Sequence, residues 1–200
     1  MLKSFHTAGI VEAGCDEAGR GCIAGPVFAA AVILPHKFHD PILNDSKKLS
    51  AKTREIMRGI IETEAIAYGV GMVDEREIDQ VNILNASFKA MHMALEKLHP
   101  FPEHLIIDGN RFHSFREIPH TCIVKGDAKY ASIAAASILA KTYRDQYMEE
   151  LNTLHPEYGW NSNKGYPTAS HREAVLKFGP TPYHRRSFRL LNDQMRLEFS

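Results

Sequence analysis

Cysteine is scarce in this sequence: of 200 residues only Cys15, Cys22 and Cys122 are cysteines, and no two form a CxxC pair. They suggest neither a disulfide framework nor a zinc site, so reduced, buried thiols are expected. Net charge is lacking as well. Twenty-four Lys and Arg offset 24 Asp and Glu, and such a chain exerts no long-range pull on a polyanion, so any nucleic-acid binding must be local. Long apolar runs are missing too. The longest clean one, Val27 to Leu34, falls far short of the roughly 18 residues of a membrane span. The stretch from Lys3 to Glu12, Asp16 and Glu17 has no signal-type apolar core, which points to the cytoplasm and away from membranes. Without a GK[ST] ending, an HExxH or a GxSxG, the chain offers no nucleotide-binding P-loop, zinc-protease helix or serine-hydrolase elbow. The eleven histidines therefore make no case for catalytic zinc.

What is present is ordinary globular composition, 44% hydrophobic with 13 Gly and 10 Pro and no visible repeat. One compact domain spanning residues 1–200 is expected, with about 156–200 as a helical C-terminal extension. Gly9 to Asp16, Val27 to Leu34 and Ile66 to Val73 read as strands. Gly19, Gly21, Gly25 and Pro26 punctuate the first turn, and a helix capped by Ser50 carries Ile56, Ile60 and Ile61 before the third strand. A longer helix begins at the Asp74 cap and runs its apolar face through Leu84, Phe88, Met91, Leu95 and Leu98. Leu105 to Asp108 and Thr121 to Val124 read as short buried strands, and Tyr130 to Leu151 as a helix packed closely on the sheet. Trp160 to Pro167 reads as a loop, Thr168 to Phe178 as a helix, and a basic tail follows. Hairpin-ordered strands followed by strands separated by helices predict an α/β architecture with a mixed sheet.

Carboxylates stand at the predicted strand ends: Asp16 and Glu17 after the first strand, Asp108 after the fourth, Asp127 after the fifth. Such positions converge on one edge of an open α/β sheet, where ligands bind. Clustered hard oxygens call for Mg²⁺ or Mn²⁺ to offset their mutual repulsion. Asp16 and Glu17 raise a geometric problem, because neighbouring strand residues point to opposite faces; both serve one site only if the strand ends or bulges between them. Gly19-Arg20-Gly21 permits close backbone approach and supplies a guanidinium suited to phosphate, and Tyr166, between Gly165 and Pro167, is an aromatic able to stack on a sugar or base. Two basic clusters, Lys47, Lys48, Lys52, Arg54 and Arg58, then His184, Arg185, Arg186 and Arg189, read as solvated faces.

With these residues laid out, the chain resembles the type 2 ribonuclease H family, of the bacterial ribonuclease HII kind. The resemblance rests on Gly14-Cys15-Asp16-Glu17-Ala18-Gly19-Arg20-Gly21 with Gly25-Pro26, on Asn44-Asp45-Ser46-Lys47-Lys48-Leu49, on Ile107-Asp108-Gly109-Asn110 and on Val124-Lys125-Gly126-Asp127-Ala128. It continues in Ala135 to Lys141 with Arg144-Asp145, in Asn163 to Thr168 and in His184 to Phe188.

The resemblance implies a ribonuclease H-like fold, a five-stranded mixed sheet flanked by helices with a helical C-terminal extension. It implies Asp16, Glu17, Asp108 and Asp127 as catalytic metal ligands, and Gly19, Arg20, Gly21 and Tyr166 as substrate readers. The implied activity is two-metal hydrolysis of the RNA strand of RNA:DNA hybrids, with cuts 5′ of ribonucleotides embedded in duplex DNA, leaving a 3′-hydroxyl and a 5′-phosphate. A monomer is expected. Asp16 lies too near the start to leave room for the longer N-terminal extension of the family's third type. Lys47, Lys48, Arg185 and Arg186 are candidates for phosphate contacts, and Asp145 for a supporting role. Two other readings are another nuclease on this fold, such as a junction resolvase, and a non-catalytic nucleic-acid binder. The first is disfavoured by the Gly-Arg-Gly and Lys-Gly-Tyr segments, the second by four carboxylates that repel phosphate unless a cation is present.

Overall fold

The structure, a computed structural model, describes residues 2–43 and 49–191. Its centre is β2, Val27–Ile33, in which every residue is buried. This is what a run of Val, Phe, Ala and Ile demands when both faces of a strand are covered. Around it the sheet runs in the order β3 (Ala67–Val73), β2, β1 (Glu12–Ala18), β4 (His104–Asp108), β5 (His120–Ile123). β1, β2 and β3 pair antiparallel, and β4 and β5 join in parallel. The expected five-stranded mixed sheet is thus present, with strand boundaries shifted by at most three residues.

The alternation of β2 divides the core. Val27, Ala29, Ala31 and Ile33 point to one side, where Ala90, Met91, Ala94 and Leu95 of α3 (Ile83–Leu95) cover them. Ala30 and Val32 point to the other, under Ala134, Ala135, Ile138 and Leu139 of α4 (Ala131–Leu154). Both helices lie very close to the sheet. A Cβ on Gly71 of β3 would sit 2.1 Å from the Ala90 carbonyl oxygen, and one on Gly14 of β1 would sit 2.4 Å from the backbone of Ile133. Glycine at these two places lets the helix axes approach, which the run of alanines in α4 also serves.

Four expectations need correction. The single helix after Asp74 is two, α2 (Glu75–Val81) and α3, broken at Asn82 with φ of 68°. The Asn82 side chain accepts hydrogen bonds from the N–H of Leu84 and Asn85, so a residue tolerant of left-handed backbone restarts the helix without interrupting its apolar period. The helix α1 (Ala51–Glu64), capped by Ser50 as expected, buries Met57 and Ile61 and leaves Ile56 exposed. Cys122 is only half-buried, whereas Cys15 and Cys22 are buried. Finally, the loop expected at Trp160 to Pro167 begins with a short helix, α5 (Trp160–Asn163), which precedes α6 (Ala169–Phe178). Trp160, fully buried, gathers Met148, Leu151, Tyr158, Ala174 and Val175 into a small separate cluster. The C-terminal extension therefore packs its own apolar centre against the second half of α4.

Candidate active site

β1 pairs with β4 only as far as Cys15 opposite Ile107, while its pairing with β2 continues through Asp16, Glu17 and Ala18. Neither of the two expected devices, a strand end or a bulge between the carboxylates, is present: β1 runs on in regular pairing with β2 to Ala18. What replaces them is an open edge, because β1 has lost β4 as a neighbour at Asp16 and Glu17. Both side chains line one cavity of about 250 Å³ beside that edge, together with Asp108, Gly19, Arg20, Gly21, Arg54, Ser137, Lys141 and Tyr166.

Asp16 is 5% exposed and hydrogen-bonded to Ser137. Burial, followed by the charges of Glu17 and Asp108, holds its carboxyl well above the usual carboxylate range, against the opposing hydrogen bonds from Ser137 and the Glu17 N–H. Glu17 accepts from Arg20 Nη1 at 2.9 Å. Asp108 ends β4, and its Oδ1 accepts the Gly126 N–H at 2.7 Å. Asp127, buried in the 3-10 turn Gly126–Ala128, is the next residue; it is not on the cavity wall but is tied to Asp108 through that backbone bond. A nearly buried carboxylate facing two others into a cavity has the donor chemistry of a hard divalent-cation site, since the cation removes the repulsion that raises Asp16.

The Gly-Arg-Gly loop is held from behind. Gly19 has φ of +98°, and a Cβ there would meet Arg144 Nε at 2.1 Å, so only glycine fits. Arg144, fully buried, donates from Nε to the Pro26 carbonyl (3.0 Å), from Nη1 to Lys164 (2.7 Å) and from Nη2 to Ala24 (3.1 Å). One guanidinium thereby packs behind Gly19 and ties the end of the β1–β2 connection, at Ala24 and Pro26, to the loop that carries Tyr166. Tyr166 is 41% exposed on the cavity rim, with Lys141 Nζ 5.6 Å from its ring centre. Arg54, Lys141 and Tyr166 also line a larger adjoining groove of about 690 Å³ with Asp145 and Lys164. There Asp145 accepts from Lys141 Nζ at 2.7 Å and lies 3.8 Å from Arg54 Nη2.

Arg185 was expected to touch phosphate or to lie on a solvated face, and it does neither. It is fully buried, with Nε on the Gly25 carbonyl (2.9 Å) and Nη1 on the Arg20 carbonyl (3.1 Å), while Nη2 has no hydrogen-bond partner among the described residues. Burial, with Arg144 beside it, pushes its pKa down to about 10, which leaves it charged at neutral pH. His184 is buried as well. Arg186 is exposed, as a phosphate contact requires. Lys47 and Lys48 lie outside the described residues. Ser137, Lys141 and Arg144 had no role assigned from sequence, although Ser137 inside the apolar stretch Ile133 to Ala140, with Lys141 and Arg144 following at spacings of 4 and 3, was a legible signal.

The ribonuclease HII family model matches residues 13–191. The chain belongs to the ribonuclease HII family. It is 62% identical over its full length to the ribonuclease HII of Parabacteroides distasonis, and 58% identical over 99% of its length to that of Christiangramia forsetii, all of each relative being covered. Among solved structures, ribonuclease H2 of Pyrococcus horikoshii superposes with a TM-score of 0.75 at 27% identity, over 94% of this chain and 98% of that one. A ribonuclease HIII solved in complex with Mn²⁺ superposes at 0.72 with 19% identity, over 94% and 70%, a likeness of fold. The family decides the activity at the level of class: this is a type 2 ribonuclease H, an endonuclease of RNA:DNA hybrids, rather than a junction resolvase or a passive binder. Among the described residues no helix is long and apolar enough to cross a membrane.

Proposed function

We propose that the chain cuts on the 5′ side of ribonucleotides embedded in duplex DNA, leaving a 3′-hydroxyl and a 5′-phosphate, and so serves their removal. The observation that carries this reading is one cavity lined both by Asp16, Glu17 and Asp108 and by Gly19-Arg20-Gly21 with Tyr166. A ribonucleotide held there meets both the groups that sense it and the groups that hydrolyse it.

Asp16, Glu17, Asp108 and Asp127 would hold Mg²⁺ or Mn²⁺, the latter being the ion named with the ribonuclease HIII neighbour. When bound, such ions lower the pKa of water and neutralise charge on the departing 3′ oxygen of an in-line displacement. The rest falls to the protein. Ser137 holds the Asp16 carboxylate, and the Gly126 N–H aims Asp108. The backbone of Gly19 to Gly21, backed by Arg144 behind Gly19 and held by Arg185 at the Arg20 carbonyl, offers polar groups to a 2′-hydroxyl, which is what separates RNA from DNA. Tyr166 packs on the adjoining sugar. Lys141, Arg54 and Lys164 line the groove that continues from the cavity and suit the following phosphates, with Arg186 and the Lys47 and Lys48 pair as outlying contacts.

The test is cleavage of an end-labelled DNA duplex with one central ribonucleotide, in Mg²⁺ or Mn²⁺, beside an all-DNA control. A single cut immediately 5′ of the ribonucleotide, absent from the control, is expected. Cleavage only of longer RNA:DNA hybrids would remove the junction-reading roles of Gly19 to Gly21 and Tyr166 while leaving the nuclease class.

A further inference from the structure

Among the described residues one group of three potential ligands brings its donor atoms within 4.8 Å of one another, and it is not the catalytic carboxylates: it is His6, Glu12 and His104. Glu12 opens β1 and His104 opens β4, opposite each other in the parallel register, so they stand at the end of the sheet away from Asp16 and Asp108. Asp16 lies four steps along the strand from Glu12, about 13 Å at the usual rise.

We propose that His6, Glu12 and His104 form a second metal site, for a borderline transition ion of the Zn²⁺ class. Two imidazoles and one carboxylate select such an ion over Mg²⁺, which prefers an all-oxygen shell. The ligands are held as metal ligands are. The Glu12 carboxylate, 8% exposed, is fixed by the N–H groups of His6 (2.8 Å) and Thr7 (3.0 Å). His104 Nε2 sits 3.1 Å from Thr121 Oγ1, which orients the ring with Nδ1 toward Glu12 Oε2, also at 3.1 Å. A ligating imidazole ordinarily makes this kind of outer hydrogen bond through its second nitrogen. Entry of an ion replaces the Nδ1–H bond to Glu12: the ring proton moves to Nε2, where the Thr121 hydroxyl accepts it. His6 is exposed, with Nδ1 against Thr7 Oγ1, which leaves Nε2 as its donor and gives the ion access from solvent. The two rings already stack at 5.6 Å. Tetrahedral Zn²⁺ needs ligand atoms about 3.3 Å apart, and the exposed His6 is the one that moves.

The site has a consequence across the molecule. The segment carrying His6 begins with Lys3, whose N–H donates to the Lys129 carbonyl (2.8 Å) and whose carbonyl accepts the Ala131 N–H (2.9 Å). Residues 129–131 follow directly on the turn Gly126–Ala128 that holds Asp127. An ion between His6 and the strand ends therefore clamps the segment that braces the turn bearing the fourth carboxylate.

The experiment is calorimetric titration of Zn²⁺ into the full chain kept in excess Mg²⁺, with wild type, His6→Ala and His104→Gln compared. Thermal melts with and without Zn²⁺ accompany it. One Zn²⁺ bound per wild-type chain and none by either variant is expected, together with a Zn²⁺-dependent rise in Tm that both variants lose. The His6 ring is exposed, so His6→Ala folds even if His104→Gln does not, and its Mg²⁺-dependent cleavage matches wild type. Absence of Zn²⁺ binding in wild type, or equal binding by wild type and His6→Ala, overturns the proposal, the latter locating the ion on other groups.

Discussion

Lowering the pH from 7 to 5 weakens this fold through His184, and the size of the effect follows from its surroundings. His184 is 1% exposed and its Nδ1 accepts the Thr181 N–H at 3.0 Å, so the neutral ring is the one the structure holds. Its Nε2 lies 3.2 Å from His171 Nε2, which also receives the Trp160 indole N–H at 2.9 Å. His171 Nδ1 then donates to the Tyr166 carbonyl at 2.9 Å. A proton added to His184 Nδ1 would displace the Thr181 N–H, with the Thr181 hydroxyl 3.0 Å away to receive it, and one added to His171 Nε2 would face two donors. Burial foremost, then His171, pushes the His184 pKa from 6.5 down to about 4; burial also lowers that of His171. A depressed histidine contributes stability that is present above the unfolded pKa and lost as pH falls from there toward the folded one. Between pH 7 and 5 the loss from His184 alone is about 2 kcal/mol, or about 4–8 °C in Tm for a chain of this size. Urea unfolding at both pH values, on wild type and His184→Asn, isolates the effect, since Asn offers an acceptor near the Nδ1 position without titrating. The wild type should lose about 2 kcal/mol more than the variant. Equal losses would refute the reasoning.

Arg144→Ala leaves the buried carbonyls of Ala24, Pro26 and Lys164 without their donors. A stability loss of about 3 kcal/mol or more is expected in denaturant, with weakened substrate binding in a KM measurement. Gly71→Ala places a methyl 2.1 Å from the Ala90 carbonyl oxygen, and overpacking of this kind costs about 1–3 kcal/mol; cleavage by the folded fraction should be unchanged. Asp16→Asn removes a buried charge repelled by Glu17 and Asp108, so in chelator the variant should melt above wild type while showing no cleavage in Mg²⁺. An unchanged or lower melting point would mean that Asp16 is not strained by its neighbours.

The layered sheet was legible because its signals are local. A strand such as Val27 to Ile33, or a glycine-flanked Asp108, announces itself in a few residues. The Asn82 break was not, because the apolar period runs through it and only a backbone angle separates the two helices. Arg185 misled for a different reason. A basic cluster in sequence says nothing about which guanidinium is satisfied by the carbonyls of Arg20 and Gly25, some 160 residues away. Long-range hydrogen bonds also conceal the His171, His184 and Trp160 chain and the pairing of Glu12 with His104. The convergence of Asp16 and Glu17 on one cavity was anticipated through a strand end or a bulge, and the departure of β4 from the edge of β1 provides it instead.

The central claim is that the carboxylates at this sheet edge cut beside a ribonucleotide read by the Gly-Arg-Gly loop and Tyr166. The measurement that tests it most directly is single-turnover cleavage of the one-ribonucleotide duplex in Mg²⁺ by wild type, Asp108→Asn, Asp127→Asn and Tyr166→Ala, with the cut position mapped. The account predicts a 5′ cut by wild type, none by either Asn variant, and a selective loss for Tyr166→Ala on the single ribonucleotide relative to a long hybrid. Undiminished cutting by Asp127→Asn, or an equal loss on both substrates for Tyr166→Ala, would contradict it.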